Sequence, residues 1–428
     1  MQLSLSLNNQ VVSAGCPLTG TVSLTLDEPT SIEDISVRFK GISSTARIVN
    51  NGQTTYRVTE RHSHVDIITS LFDQPRGTIL PPGEHILLFT IQVPVYSECT
   101  CLAHCDQYSQ FRFSRWTCRH TGVDVGLVRT SLPPTCHASR SMYVDYRLVA
   151  AVDRPGLFRW KKSVSRTITL VPATLVHSSA LLYDRDSRNL VEVYKTIILS
   201  AKCDKLPEEY FVHGALPKVS GLKKLISFSS KHTYVDVPLE AEMILYNNGE
   251  ASIGEHLPFE LYISVQVDDI SRIVGIVNIK LTSIRVALRS ETSGYAQRHP
   301  NSSSDKTILF EHNKLDIPLT AEKSEGRAPR FRIDDKVFKS IELGNNIVAD
   351  FDIMSLRHRH KICATIGLSV NDGGSRAVEI SRAIVITSGI DYDLETNMLL
   401  PPRYQMADYK YQYENDSFKT DEEADFFD

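Results

Sequence analysis

Apolar residues recur at every second position through most of the chain. Leu3, Leu5 and Leu7 open the series, followed by Val22/Leu24/Leu26 and Ile35/Val37/Phe39. Alternation of this kind places one set of side chains on a single face of a β-strand. Between the second and third runs lies Asp27-Glu28-Pro29-Thr30-Ser31, a cluster that interrupts pairing and turns the chain. The rhythm continues through Val65/Ile67, Leu87/Phe89/Ile91/Val93 and the interleaved run Tyr143 to Val149, turns at Asp153-Arg154-Pro155-Gly156, and resumes at Val164/Ile168/Leu170. After a polar stretch around Asp184-Arg185-Asp186-Ser187-Arg188-Asn189 it restarts with Val191/Val193, Val235/Val237/Leu239 and Phe259/Leu261/Ile263/Val265. It ends with Val277/Ile279/Leu281, Ile362/Ala364/Ile366/Leu368 and Val378/Ile380, while Ser290 to Lys306 reads as a polar loop. No long stretch keeps a helical period. Many short strands joined by turns predict an all-β fold of packed antiparallel sheets rather than a parallel α/β sheet.

A chain of 428 residues exceeds one ordinary core and suits two domains. The pattern predicts a first antiparallel β-sandwich over residues 1–172, with a Cys/His-rich insertion at about 96–138, and a hinge at 173–190. A second sandwich follows over 191–390. From Asp391 the alternation stops and the chain ends in Thr420-Asp421-Glu422-Glu423-Ala424-Asp425-Phe426-Phe427-Asp428. Such a segment buries too little surface to offset its ordering entropy, so 391–428 is expected to be a flexible tail.

Composition narrows the function. A hydrophobic share of 42% and a charged share of 23% are those of a folded protein. The formal net charge of −4 offers no broad positive field for nucleic acid phosphates. No apolar run approaches the roughly 20 residues of a membrane-spanning helix, and the first seven residues alternate like a strand rather than forming a signal peptide. The eight cysteines gather mostly in one local cluster, unlike a secreted disulfide framework, so a cytoplasmic location is expected.

That cluster combines Cys99, Cys101, His104, Cys105, Cys118, His120, Cys136 and His137. Thiolate and imidazole are the ligands zinc prefers, and a structural zinc on Cys99, Cys101, Cys105 and Cys118 would order a loop that lacks its own core. Irregular spacing without paired C-x2-C knuckles leaves a second reading open, an unliganded loop of reduced cysteines. The motifs G-x-S-x-G, H-E-x-x-H, a phosphate-binding glycine loop and C-x-x-C are all missing, so no catalytic residue is assigned and no cofactor beyond that zinc is implied.

Near the end stands Leu400-Pro401-Pro402-Arg403-Tyr404. Proline holds the extended polyproline conformation before any partner arrives, and WW domains receive that shape in an aromatic-lined groove. Pro401 and Pro402 would stack there, Tyr404 would fill a second pocket, and Leu400 would add an apolar contact. The proline pairs at 81–82 and 133–134 lack the matching tyrosine. Two basic patches, Arg159, Lys161 and Lys162 in one and Arg357, Arg359 and Lys361 in the other, are candidate contacts for anionic head groups or an acidic cargo tail. The alternative is charged edge positions that block unwanted pairing.

Several segments, in order, resemble the arrestin N-domain. They are Gly20-Thr21-Val22-Ser23-Leu24, Ile35 to Gly41, Leu80-Pro81-Pro82-Gly83-Glu84-His85 leading into Phe89 to Pro94, and Tyr143 to Ala150 followed by Arg154-Pro155-Gly156. In the second half the likeness rests on strand rhythm and on Lys361 to Leu368. With the tail motif, the whole resembles the arrestin-related trafficking adaptors of fungi and the metazoan arrestin-domain-containing proteins. The resemblance implies a non-enzymatic adaptor. It would bind cytosolic regions of plasma-membrane transporters or receptors and bring in a WW-domain HECT-type ubiquitin ligase, with peripheral recruitment to plasma membrane or endosomes and conjugation of ubiquitin to the adaptor itself. A ubiquitin-independent sorting scaffold like the arrestin-fold retromer subunits is the alternative, and a zinc-dependent protein built on the Cys/His loop is a further one.

Overall fold

The computed structural model describes residues 1–97, 130–155, 162–176, 190–203, 233–265, 278–319, 321–322, 330–334, 337–338, 341–353, 356–371, 374–394, 396 and 398–399. The first half forms β1 (Gln2–Leu7), β2 (Val11–Ser13), β3 (Pro17–Leu26), β4 (Thr30–Ile32), β5 (Asp34–Asn50), β6 (Thr55–Ser70), β7 (Thr78–Leu80), β8 (Gly83–Gln92), β9 (Cys136–Ser139), β10 (Met142–Asp153) and β11 (Lys162–Val171). A linking strand, β12 (Thr174–Val176), follows. The second half forms β13 (Val191–Cys203), β14 (Thr233–Leu245), β15 (Glu250–Ser252), β16 (Phe259–Val265), β17 (Ile279–Ala296), β18 (His299–Pro318), β19 (Ala321–Glu322), β20 (Arg330–Arg332), β21 (Phe351–Ile353), β22 (Leu356–Val370) and β23 (Arg376–Thr387). β24 (Asp391–Asp393) and β25 (Met398–Leu399) close it. Among the described residues there is no α-helix, and a 3-10 turn spans Asn247–Gly249.

The all-β expectation holds, and the two halves repeat one plan. In the first sandwich a sheet ordered β1-β3-β8 covers one ordered β2-β11-β10-β5-β6; in the second, β13-β14-β16-β20-β19 covers β15-β23-β22-β17-β18. Each larger sheet begins with a three-residue strand paired in parallel, β2 on β11 and β15 on β23, and ends in a long hairpin, β5–β6 or β17–β18. The alternation read from sequence is the cause. In β3 each second residue, from Leu18 to Leu26, is buried while its neighbours face outward, and a fully buried aliphatic side chain contributes about 1.5–3 kcal/mol.

The first core centres on Tyr146, which stacks on Phe39 with ring centroids 5.9 Å apart and donates its hydroxyl to the Pro133 carbonyl at 2.7 Å. Gly41 faces that ring across the β5–β10 ladder, where a β-carbon would lie 2.3 Å from Tyr146 Cε1, so no larger residue fits. The second core stacks Phe259 on Phe338 with centroids 5.1 Å apart.

Three boundaries differ from the sequence reading. Ser290 to Lys306 is the end of the β17–β18 hairpin, paired through Ala296 and His299, rather than a loop. Asn301 and Ser303 there meet polar groups of the other sandwich, and backbone pairing needs no apolar alternation. Residues 391–399, assigned to the flexible tail, hold β24 and β25, because Ile390, Tyr392 and Leu399 find apolar neighbours in the first sandwich. The far end of the expected insertion belongs to the core as well, with Leu132 and Cys136 buried in it.

Candidate functional site

Two contact zones join the sandwiches. The first is a polar seam where the hairpins of the two halves meet. Gln297 N donates to Glu60 Oε2 at 2.5 Å, and Asn301 Nδ2 donates to the Ala46 carbonyl at 2.8 Å and to Ser141 Oγ at 3.1 Å. Ser303 Oγ donates to the Ala138 carbonyl at 3.2 Å. Glu60 also lies 2.9 Å from His62 Nε2. Next to it, His64 sits between Ser43 Oγ at 2.9 Å and Ser97 Oγ at 3.0 Å, and burial drives its imidazole down to about 3.

The second sandwich answers with its own histidine pair. His358 Nδ1 lies 2.7 Å from Thr292 Oγ1, and its ring stacks on Phe351 at 5.7 Å. Phe351 and Ile353 in turn pack against the core of the first sandwich. Burial holds His358 at about 3 as well. His360 Nδ1 meets Asp350 Oδ1 at 2.5 Å, and burial pushes that carboxyl above its ordinary value although the imidazole pulls it down. Neutral imidazoles with hydroxyl partners suit such a seam, because a buried charge without a counter-charge is costly.

The second zone is a small apolar junction. Ala14, Val95, Val171, Ala173 and Ile390 are buried together, with Tyr96, Leu175, Tyr392 and Leu399 packed around them. Here β24 runs parallel to β12 and pairs with β25 on its other side. The Thr174 amide donates to the Ile390 carbonyl at 2.7 Å, Ser388 Oγ donates to the Pro172 carbonyl at 2.7 Å, and Tyr96 meets Tyr392 edge-on at 6.1 Å. Gly15 turns with φ +84°, where a β-carbon would come within 3.2 Å of Leu399 Cδ1 and 3.1 Å of Val95 Cγ2. The link between sandwiches and the last described strand therefore form one unit.

The candidate residues fall on both sides of what is described. Leu400, Pro401, Pro402 and Tyr404 lie outside the described residues, as do Cys99, Cys101, Cys105, Cys118, Arg159 and Lys161. Lys162 opens β11 and donates to the Met1 carbonyl at 2.5 Å. In β22 the run Arg357 to Lys361 splits by strand alternation: Arg359 and Lys361 face out, while His358 and His360 are 5% and 2% exposed. Arg357 pairs with Asp352 at 2.5 Å, Arg359 reaches the same carboxylate at 3.4 Å, and Lys361 stands 3.8 Å from Glu291. The inward histidines escaped the sequence reading, which counted the run as one basic patch. The signal that could have found them is H-x-H, present at His62/His64 and again at His358/His360. Among the described residues no group of three or more His, Cys, Asp or Glu is arranged to hold a metal ion, and no helix is long and apolar enough to cross a membrane.

Two sandwiches of one topology in tandem, meeting along a polar seam and tied by a shared C-terminal hairpin, define a tandem β-sandwich protein. Residues 1–176 match the family model of the arrestin (or S-antigen) N-terminal domain, so the first sandwich is arrestin-like. The matched stretch ends with β12. No curated protein matches the chain.

Proposed function

We propose that this chain is an adaptor that links cytosolic regions of membrane transporters or receptors to a WW-domain HECT-type ubiquitin ligase, promoting cargo ubiquitination and uptake. The observation that carries the reading is the order of parts. A tandem β-sandwich body, whose residues 1–176 match the arrestin N-terminal model, runs to Leu399, and Pro401-Pro402-Arg403-Tyr404 follows two residues later. Arrestin-like sandwiches supply binding surface, and a proline ribbon with a tyrosine supplies a ligand for an aromatic groove. Chemistry then belongs to the recruited partner. Cargo or membrane contact falls to the outward cations Lys162, Arg359 and Lys361, with Arg159, Lys161 and Arg357 beside them in sequence.

Isolated WW domains of HECT-type ligases should retain the wild-type chain in a pull-down and lose the Tyr404→Ala variant. Equal retention of both would refute the motif. In cells, loss of Tyr404 should slow ubiquitination of whichever transporter co-purifies with the body; a sorting scaffold that works without ubiquitin would leave that traffic unchanged.

A further inference from the structure

The last described residues of the chain serve the domain junction, yet they stand beside the partner motif. Leu399 packs beside Gly15 and Val95 and pairs with Tyr392, whose strand is paired to β12 between the two sandwiches. Pro401 follows two residues on, and two extended residues span at most about 7 Å. A WW domain encloses its ligand in a groove lined by aromatic rings. A ligand that begins so near Leu399 needs room for a whole domain close to the β2–β3 turn, where Gln92 Nε2 donates to the Gly15 carbonyl at 2.5 Å.

The element able to yield that room is β25, the shortest of the three strands at the junction. It has two residues, it pairs only with β24, and Met398 is 64% exposed. We propose that docking of a WW domain at Pro401 to Tyr404 lifts β25 from the first sandwich and so loosens the junction that joins the two. The coupling rests on the reading of that motif given above. Once Leu399 leaves, the junction loses one wall, and β24 keeps only its parallel pairing with β12. Binding and junction order are then reciprocal: whatever tightens the junction weakens recruitment of the WW partner by the same factor. Ligase recruitment and the mutual setting of the sandwiches become one equilibrium.

The test measures affinity for one isolated WW domain in three forms: a synthetic peptide of residues 396–410, the full chain, and the full chain with a flexible Gly-Ser spacer of about six residues between Leu399 and Leu400. The peptide should bind about tenfold more tightly than the full chain, the scale set by lifting one half-buried leucine, and the spacer should restore the peptide's affinity. Leu399→Ala should move the full chain in the same direction. Hydrogen exchange gives a second readout. The Thr174 amide, bonded to the Ile390 carbonyl, should exchange faster when the WW domain is added to the wild-type chain and be unaffected in the spacer variant. Equal affinity in all three forms would overturn the coupling and leave the motif standing. A peptide that fails to bind would overturn the motif itself, and the coupling with it.

Discussion

The first and second sandwiches share a topology, yet only the first, with β12, matches the arrestin N-terminal model. Both larger sheets run from a short parallel strand to a long hairpin, and both bury an H-x-H pair, on β6 in one and on β22 in the other. The hairpins differ. Both bury their inner strand, Val37 and Phe39 on β5 and Ile284 and Val286 on β17, but β6 also buries Val58 and Val65, whereas β18 has no buried position along its twenty residues. A sheet that closes over its own core needs apolar alternation; a hairpin that reaches across to a neighbour can be held by amides and hydroxyls. The same strand order thus serves packing in one place and docking in another.

The strongest way to break this comparison is to damage one core. Tyr146 is fully buried, and Tyr146→Ala removes its stacking on Phe39 and the bond to Pro133. It should destabilise the first sandwich by about 3–5 kcal/mol, the usual cost of deleting a buried aromatic. Hydrogen exchange resolved by strand would then show β5 and β10 losing protection while β16 and β22 keep theirs. Uniform loss in both halves would show instead that the seam and junction make them one cooperative unit.

The histidines sharpen the comparison through pH. His64 and His358 are held at about 3 by burial, below the roughly 6.5 of an unfolded histidine. A depressed imidazole leaves stability intact above that unfolded value. The stability is lost as pH falls below it, because the unfolded chain takes up protons that the folded one refuses. From pH 7 to pH 5 each site should cost about 2 kcal/mol. Asp350 acts in the opposite sense, since burial raises its carboxyl and protonating it relieves the folded state. Replacing His64 or His358 with Asn should flatten the fall in melting temperature between those two pH values. Wild type and variants with the same pH slope would exclude the histidines as its source.

How much of this was legible in the sequence follows from which forces hold each part. Leu18, Val22, Leu24 and Leu26 alternate because β3 buries one face only, so period two appears directly as strand. Asn301 and Ser303 carry no such period; their partners lie in the other sandwich, and Ser290 to Lys306 therefore read as a loop. Tyr392 and Leu399 were overlooked because strands of two or three residues are too short to display a period, and their burial depends on Gly15 and Val95, far away in sequence. Within β22 the charges were legible but their sides were not: alternation sends Arg359 and Lys361 out and His358 and His360 in. The run Pro401-Pro402-Arg403-Tyr404 stands out at once because a motif of this kind needs only local sequence.

The smallest expected effect compares the outer faces of the two hairpins. Arg38 reaches Asp66 with Nε at 2.6 Å from one carboxylate oxygen and a second nitrogen at 2.5 Å from the other. Arg285 instead directs both of its nitrogens at a single oxygen of Glu311. The Arg38 bond holds the Asp66 carboxyl below its ordinary value, and two parallel bonds lock a guanidinium better than a shared acceptor does. The half-exposed Arg38 pair should still be worth only about 0.5–1 kcal/mol. A double-mutant cycle on Arg38 and Asp66 at low salt should exceed the same cycle on Arg285 and Glu311, and both should shrink toward zero in molar salt. A larger coupling for the second pair would mean that β17–β18, whose outer strand β18 has no buried position, is held by charge more firmly than β5–β6.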